Sequence, residues 1–168
     1  RPGYPARALR AIEAEIRRSG LTGSGELLVD LGAGTGKFTR EILPERSAHV
    51  LTVPTASFQC RWFVCKAARP LILLPTGVGE AIPFPDSSVR ALVAAQSFHW
   101  MSSAATLREV HRVLVPGGLF VLMWNTRDCT RPWVRALEDI IDPFYGDDVP
   151  RQQGGQWRQS FRDLEQSR

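Results

Sequence analysis

Two kinds of hydrophobic spacing divide the chain. From Pro5 to Ser19 the apolar residues Leu9, Ile12 and Ile16 recur at helical intervals with Arg and Glu between them, and Gly20 follows. That pattern predicts a helix with one buried face, stopped by glycine. Elsewhere the apolar positions run together instead of alternating: 27–31, 49–53, 71–74, 89–95 and 119–124. Runs this rich in apolar residues, continuous over 119–124 and carrying single polar residues such as Asp30 and Arg90 in other runs, suit strands covered on both faces. Between them, 37–43 (closed by Pro44), 104–114 and 132–141 read as helices, and Pro116-Gly117-Gly118 as a turn into the last strand. Strands alternating with helices imply βαβ units and a parallel sheet layered on both sides. With right-handed crossovers, the expected strand order is 3-2-1-4-5. Residues 151–168 are polar and rich in Gln, Arg and Gly, which reads as a loose tail.

The junction after the first run carries the chemistry. Leu27-Leu28-Val29-Asp30-Leu31 leads into Gly32-Ala33-Gly34-Thr35-Gly36 and then Lys37-Phe38-Thr39. Alternate glycines let the backbone turn tightly and approach a ligand with no Cβ in the way. The helix that follows offers free N–H groups to whatever occupies the turn. Asp30 favours a ligand with a cationic or hydroxyl-bearing part. A dinucleotide site wants G-x-G-x-x-G, but here the third glycine comes one residue early, with Lys37 in its expected place. A phosphate loop wants G-x-x-x-x-G-K-[ST], and both Leu31 and Phe38 break it. An acid followed by three alternating glycines is more than a plain turn requires.

Composition narrows the classes. The chain has 168 residues, 43% hydrophobic and 23% charged, which supports one domain with a real core. The net charge is +4, carried almost entirely by single, scattered Arg residues. No basic run of the kind that tracks a nucleic-acid backbone occurs, so nucleic acid is not an expected partner. Cys60, Cys65 and Cys129 do not form Cys-x-x-Cys pairs, which argues against a zinc site or a disulfide framework. A reducing, cytoplasmic setting is the expectation. No run of about 18 apolar residues exists to span a membrane.

The pattern Asp-x-Gly-x-Gly-x-Gly at 30–36 resembles motif I of the class I S-adenosylmethionine-dependent methyltransferases. Two further blocks resemble the same family's small-molecule, type-11 branch. One is Ile82-Pro83-Phe84-Pro85-Asp86-Ser87-Ser88-Val89 with the run to Trp100; the other is Leu107 to Gly118. Phe98-His99-Trp100, Trp124-Asn125 and the opening Arg1-Pro2-Gly3-Tyr4-Pro5 look like the trans-aconitate-type subgroup. The resemblance implies a Rossmann-like fold, S-adenosylmethionine as cofactor and a small-molecule acceptor. It divides the chain into a methyltransferase-like domain over 1–145 and a polar tail, or the start of a further segment, over 146–168. It also implies that the last two strands of the family's sheet are absent. Oligomeric state is not legible.

For the site, the resemblance implies that Gly32, Ala33, Gly34, Thr35 and Gly36 pass under the cofactor's amino-acid part. Asp30 receives its ammonium or orients the loop. Ala95, Gln96 and Ser97 sit past strand four, at the carboxyl edge where open α/β sheets bind ligands. Tyr4 closes over the site, or is a half-buried aromatic at a helix entry. His99 removes a proton from the acceptor, holds an acceptor carboxylate, or shapes the pocket floor with Trp100. His111 reads as structural, and Glu109 with Arg112 as a helix-surface pair.

The chain also departs from the family. An acid normally ends strand two and holds the ribose hydroxyls; here Val53 stands in its place, and no Asp or Glu occurs between Glu45 and Glu80. Val78 replaces the family's polar contact to adenine, and 57–69 match nothing in it. These departures support an alternative reading as a catalytically impaired binding or regulatory relative. A third reading, an NAD-dependent oxidoreductase, has the glycine spacing against it.

Overall fold

The structure is a computed structural model, and it describes residues 3–19, 27–42, 49–53, 72–73, 78–146 and 150–166. Ser57–Arg69, Pro54 and the three residues before Val78 lie outside the described residues, as do Cys60 and Cys65. Among the described residues five α-helices and five strands follow in the order α1 (Ala6–Arg18), β1 (Leu27–Leu31), α2 (Lys37–Ile42), β2 (His49–Val53), β3 (Ile72–Leu73), β4 (Val89–Ala95), α3 (Ala104–Val113), β5 (Leu114–Met123), α4 (Pro132–Ile141) and α5 (Gln159–Gln166). A single 3-10 turn at Phe98–Trp100 links β4 to α3.

All strand pairs are parallel, and the sheet runs β3-β2-β1-β4-β5. β1 is therefore central. The chain leaves it toward β2 and β3, then returns to the other side as β4. Such a reversal opens a crevice at the carboxyl edge between the two strands.

The apolar runs are explained by two cores, one on each face. Leu28 with Ala91, Val93 and Ala95 meets Ile16 of α1 and Phe38 and Ile42 of α2. Val29 and Leu31 with Leu92 and Ala94 meet Phe98 and Leu107, Val110 and Val113 of α3. Each fully buried Leu, Val or Phe contributes roughly 1.5–3 kcal/mol. Asp30 lies between Val29 and Leu31, so it points with Leu28 toward α1 and α2. An acid is thereby placed inside an apolar layer.

Two expectations are corrected. Pro116-Gly117-Gly118 does not precede the last strand but bulges inside it. Val89 pairs with Leu114, and Ala91 already pairs with Leu119. Gly117 has φ +73°, and a Cβ on Gly118 would lie 2.8 Å from the Val115 carbonyl oxygen. Both need glycine for the strand to resume its register. The segment read as a loose polar tail is ordered over 150–166, where Trp157, Phe161 and Leu164 pack against the α3 core. These three recur at helical spacing, a stripe hidden by the surrounding Gln and Arg.

The pair Glu109–Arg112 does more than decorate a helix. Arg112 donates to the carbonyls of Phe84 and Ile82 (both 2.9 Å), to Asp86 and to Glu109. Glu109 in turn accepts from the Ile82 N–H at 3.0 Å. The Arg112 guanidinium holds the Glu109 carboxyl below its ordinary range. Together they fasten the 82–86 loop to α3.

Candidate functional site

The first half of the site is the loop after β1. Gly32, Gly34 and Gly36 all have positive φ, at +73°, +55° and +69°. Gly32 is glycine for packing: a Cβ there would lie 2.6 Å from Ser97 Cβ and 3.0 Å from Met101 Cε. Gly34 differs, since its Cβ would meet only the Gly32 carbonyl oxygen at 3.9 Å. Among the described residues the space above Gly34 is open, as a ligand cradle requires. The Gly36 N–H closes the turn on Ala33 O at 2.8 Å, and Arg40 Nη1 holds Thr35 O at 2.7 Å.

Beneath the loop, Asp30 is completely buried. Thr39, on the first turns of α2, donates its hydroxyl to Asp30 Oδ2. Burial pushes the Asp30 carboxyl up to about 7, and the Thr39 hydrogen bonds only partly oppose this. Among the described residues nothing bonds Asp30 Oδ1. A buried carboxylate oxygen without a partner is costly, and it is the natural counterpart of a cationic or protic ligand group. Orphan oxygen and open cradle together fit the amino-acid end of S-adenosylmethionine.

The turn after β4 forms the other lip. Ala95 is buried; Gln96 takes φ +59°, unusual for a side chain of its size. Its N–H bonds Met123 O at 2.8 Å, and its amide nitrogen reaches Asn125 O at 3.3 Å. Ser97 is buried, and its hydroxyl donates to Leu31 O at 2.6 Å. Ser97 therefore braces the start of the glycine loop. Tyr4 is half-buried, edge-on to Phe38 with ring centroids 5.9 Å apart, and its N–H bonds Glu41 at 2.8 Å. The N-terminal segment is thus anchored on α2, beside the loop. Val53 ends β2 in register with Leu31, at the same carboxyl edge. Val78 forms a bridge with Ala81 and is 45% exposed.

Beyond Met101 lies a cavity of about 350 Å³ walled by Glu80, residues 99–103, Pro150, Arg151, Gln156 and Trp157. Met101 is shared by loop and cavity. His99 Nδ1 accepts a hydrogen bond from Trp124 Nε1 at 3.1 Å. Trp124 stacks on Trp157, centroids 4.7 Å apart. The structure brings His99 and Trp100 to this wall and leaves His111 on α3, outside it. Sequence reasoning misses Thr39, Met101, Arg151 and Trp157, and it notes Trp124 only within the Trp124-Asn125 resemblance, with no role in the site. No cluster of three or more His, Cys, Asp or Glu residues suited to a metal occurs among the described residues. No described helix is long and apolar enough to cross a membrane.

A family model described as a methyltransferase domain matches residues 29–122. The chain is 41% identical over 142 residues to an uncharacterized methyltransferase of Mycobacterium tuberculosis, covering 84% of this chain and 54% of that protein. It is 33% identical over 161 residues to an uncharacterized methyltransferase-like protein of Schizosaccharomyces pombe, covering 96% and 60%. The solved S-adenosylmethionine-dependent methyltransferase of Mesorhizobium loti superposes with a TM-score of 0.50 at 27% identity, over 69% of this chain and 50% of that one. The chain spans little more than half the length of the two curated relatives.

Proposed function

The chain belongs to the methyltransferase-domain family, and on that premise we propose that it takes part in methyl transfer from S-adenosylmethionine to a small-molecule acceptor. The observation that carries this reading is the buried, unpartnered Asp30 Oδ1 beneath an open glycine cradle. When bound, S-adenosylmethionine supplies a methyl group on a positively charged sulfur. Asp30 offers its orphan oxygen to the cofactor's ammonium, a charge-assisted contact. The Gly32–Gly36 backbone lets that end of the cofactor approach closely, and Ser97 keeps the loop in register through Leu31 O. Gln96, held by Met123 and Asn125, is the candidate contact from the turn after β4 on this reading. Transfer from a sulfonium relies mainly on holding donor and acceptor in line and excluding water. The cavity beyond Met101 is the acceptor's place on this reading. Small-molecule chemistry fits its size, since ligand pockets start near 300 Å³. A cytoplasmic location accords with the cofactor and belongs to the same proposal.

A second reading has its own observation. Val53 occupies the strand-two position where the family carries a ribose-binding acid, so the chain could serve as a binding or regulatory relative without turnover. Calorimetric titration with S-adenosylmethionine, S-adenosylhomocysteine and NAD separates the readings. The proposal expects saturable binding of the first two and none of NAD. Binding of NAD alone overturns it, and absence of all three favours the regulatory relative.

A further inference from the structure

Most of the large apolar side chains that the described residues leave in water lie on α4 and the 3-10 turn that continues it, Asp142–Phe144. Trp133 is 71% exposed, Leu137 41%, Ile140 65% and Phe144 85%. Successive steps of four, three and four residues set them along one face of the helix and its continuation. The helix is also anchored on another side. Val134 and Glu138 are buried, and Glu138 pairs with Arg127 at 2.6 Å. A helix apolar on two sides is built to be covered on both.

The stripe reads alike in either direction. Two large aromatics close its ends and two aliphatics fill its middle, placed symmetrically about the midpoint between Glu138 and Asp139. A two-fold axis through that point, with the helices antiparallel, sets Trp133 level with Phe144 of a second copy and Leu137 level with its Ile140. An isologous interface requires this, since residue i meets j and j meets i. The charges obey the same axis. Arg131 and Arg135 stand at the start of α4, Asp139 and Asp142 at its end, and the first turn has no acid and the last no base. The helix therefore carries its charges against its own macrodipole. Antiparallel pairing sets each basic start level with an acidic end and each dipole against its opposite.

We propose that this face of α4 is the seam of a symmetric homodimer, in which two copies of the chain pack stripe to stripe with their helices antiparallel. The four side chains expose on the order of 600 Å² per copy. Pairing them buries about 1,200 Å² in all, the lower end of what a specific interface needs. A bilayer surface fits less well. Helices that lie on membranes carry Lys and Arg along their polar face, whereas here Asp139 and Asp142 offset Arg131 and Arg135. Asp142 also holds Arg151 of the cavity wall at 2.6 Å, so the seam ends beside that cavity. The proposal stands apart from the methyl-transfer reading, because no ligand enters it.

The test is sedimentation velocity of the whole chain from about 1 to about 100 µM, the range that a seam of this size should span. The parent is expected to pass from monomer to dimer across that range, and Ile140→Lys to stay monomeric. Trp133→Glu and Phe144→Lys test the register. An acid in the first turn and a base past the last both favour the isolated helix, so each variant keeps its fold, as far-ultraviolet dichroism checks. Alone, each is expected to dimerise at least about tenfold more weakly than the parent. Mixed in equal amounts they are expected to regain the dimer. The introduced carboxylate of one copy then stands level with the introduced ammonium of the other, while the second Trp133–Phe144 pair is intact. A parent that stays monomeric at about 100 µM overturns the proposal; if it then floats with phosphatidylcholine vesicles, the face belongs to a bilayer. An Ile140→Lys protein that dimerises as the parent does also overturns it, and a mixture that stays monomeric overturns the antiparallel seam. If either end variant fails to fold, the parent and Ile140→Lys decide.

Discussion

The loop after β1 and the cavity beyond Met101 meet at one methionine side chain, yet they are assembled in opposite ways. The loop is contiguous: acid, glycines and helix start all lie within 30–39. The cavity draws its wall from Glu80, from 99–103 and from 150–157, segments joined only by folding. Two of the loop's side chains answer to the backbone, Ser97 on Leu31 O and Arg40 on Thr35 O, while Thr39 donates to the Asp30 carboxylate. The cavity's side chains answer to one another through aromatic stacking and exposed ion pairs. A contiguous site is stiff and intolerant of substitution, whereas an assembled one can lose a wall residue and keep its fold.

The sharpest way to break that contrast is within the loop itself. Gly32→Val places a branched side chain at φ +73° against Ser97 and Met101. Left-handed strain of about 2 kcal/mol and overpacking of about 3 kcal/mol add to roughly 5 kcal/mol, a large part of a domain's stability. Chemical denaturation should show this protein largely unfolded. Gly34→Val carries the strain without the clash, because among the described residues its Cβ would meet only the Gly32 carbonyl oxygen, at 3.9 Å. It should stay folded and lose the rise in melting temperature that S-adenosylhomocysteine gives the parent. A Gly34→Val protein that keeps the shift would put the ligand elsewhere.

Next in size is the pH dependence beneath the loop. The Asp30 carboxyl sits near 7 in the folded protein against 3.8 for the ordinary group. Between those values the unfolded chain has released its proton while the folded one still holds it. The folded state therefore binds more protons, and stability falls as pH rises from about 4 through about 7, then levels. The size is of order 4 kcal/mol, at about 1.4 kcal/mol per unit. Urea midpoints from pH 4.5 to 8 should slope downward in the parent and flatten in Asp30→Asn. An upward slope that Asp30→Asn leaves unchanged would mean that the carboxylate is ionised and well solvated.

How much of this was readable follows the same division. The cores were legible because strongly apolar runs such as Ala91–Ala95 admit few placements other than a strand covered on both faces. The glycine loop was legible because the residues that shape it are neighbours in sequence. Thr39 was not, although it lies only nine positions from Asp30, because the contact depends on where α2 settles. Pro116-Gly117-Gly118 misled, since a bulge and a turn use the same residues. The 150–166 segment misled because three apolar positions among many Gln and Arg read as a polar average. Arg151, Trp157 and Trp124 converge only in three dimensions, so no spacing rule could have united them.

The loop's far side offers a third measurement. Val53 ends β2 level with Leu31, where the family resemblance puts a carboxylate. Val53→Glu should tighten S-adenosylhomocysteine binding by about one to two decades, since a charge-assisted contact is worth about 1.5–3 kcal/mol. A folded variant that binds no better, measured by calorimetry, would favour the regulatory relative.

The smallest expected effect lies in the cavity wall, and it tests whether that wall is as forgiving as its construction implies. Arg151 pairs with Asp142 at 2.6 Å and lies over the Tyr145 ring, 4.1 Å from its centroid. The Asp142 side chain is 62% exposed, so water competes for the charge and the pair contributes under about 1 kcal/mol. Arg151→Gln should thus leave the urea midpoint nearly unchanged. Its effect should be local: faster amide exchange over 150–158, while β1 and β4 exchange as in the parent. The apolar side of the same segment sets the reference, because Trp157 packs edge-on against Phe98 and Phe161 packs against it tilted. If Arg151→Gln instead lowered global stability by several kcal/mol and sped exchange in β1 and β4 as much as over 150–158, the ion pair would be holding the fold, and the wall would be as unyielding as the loop.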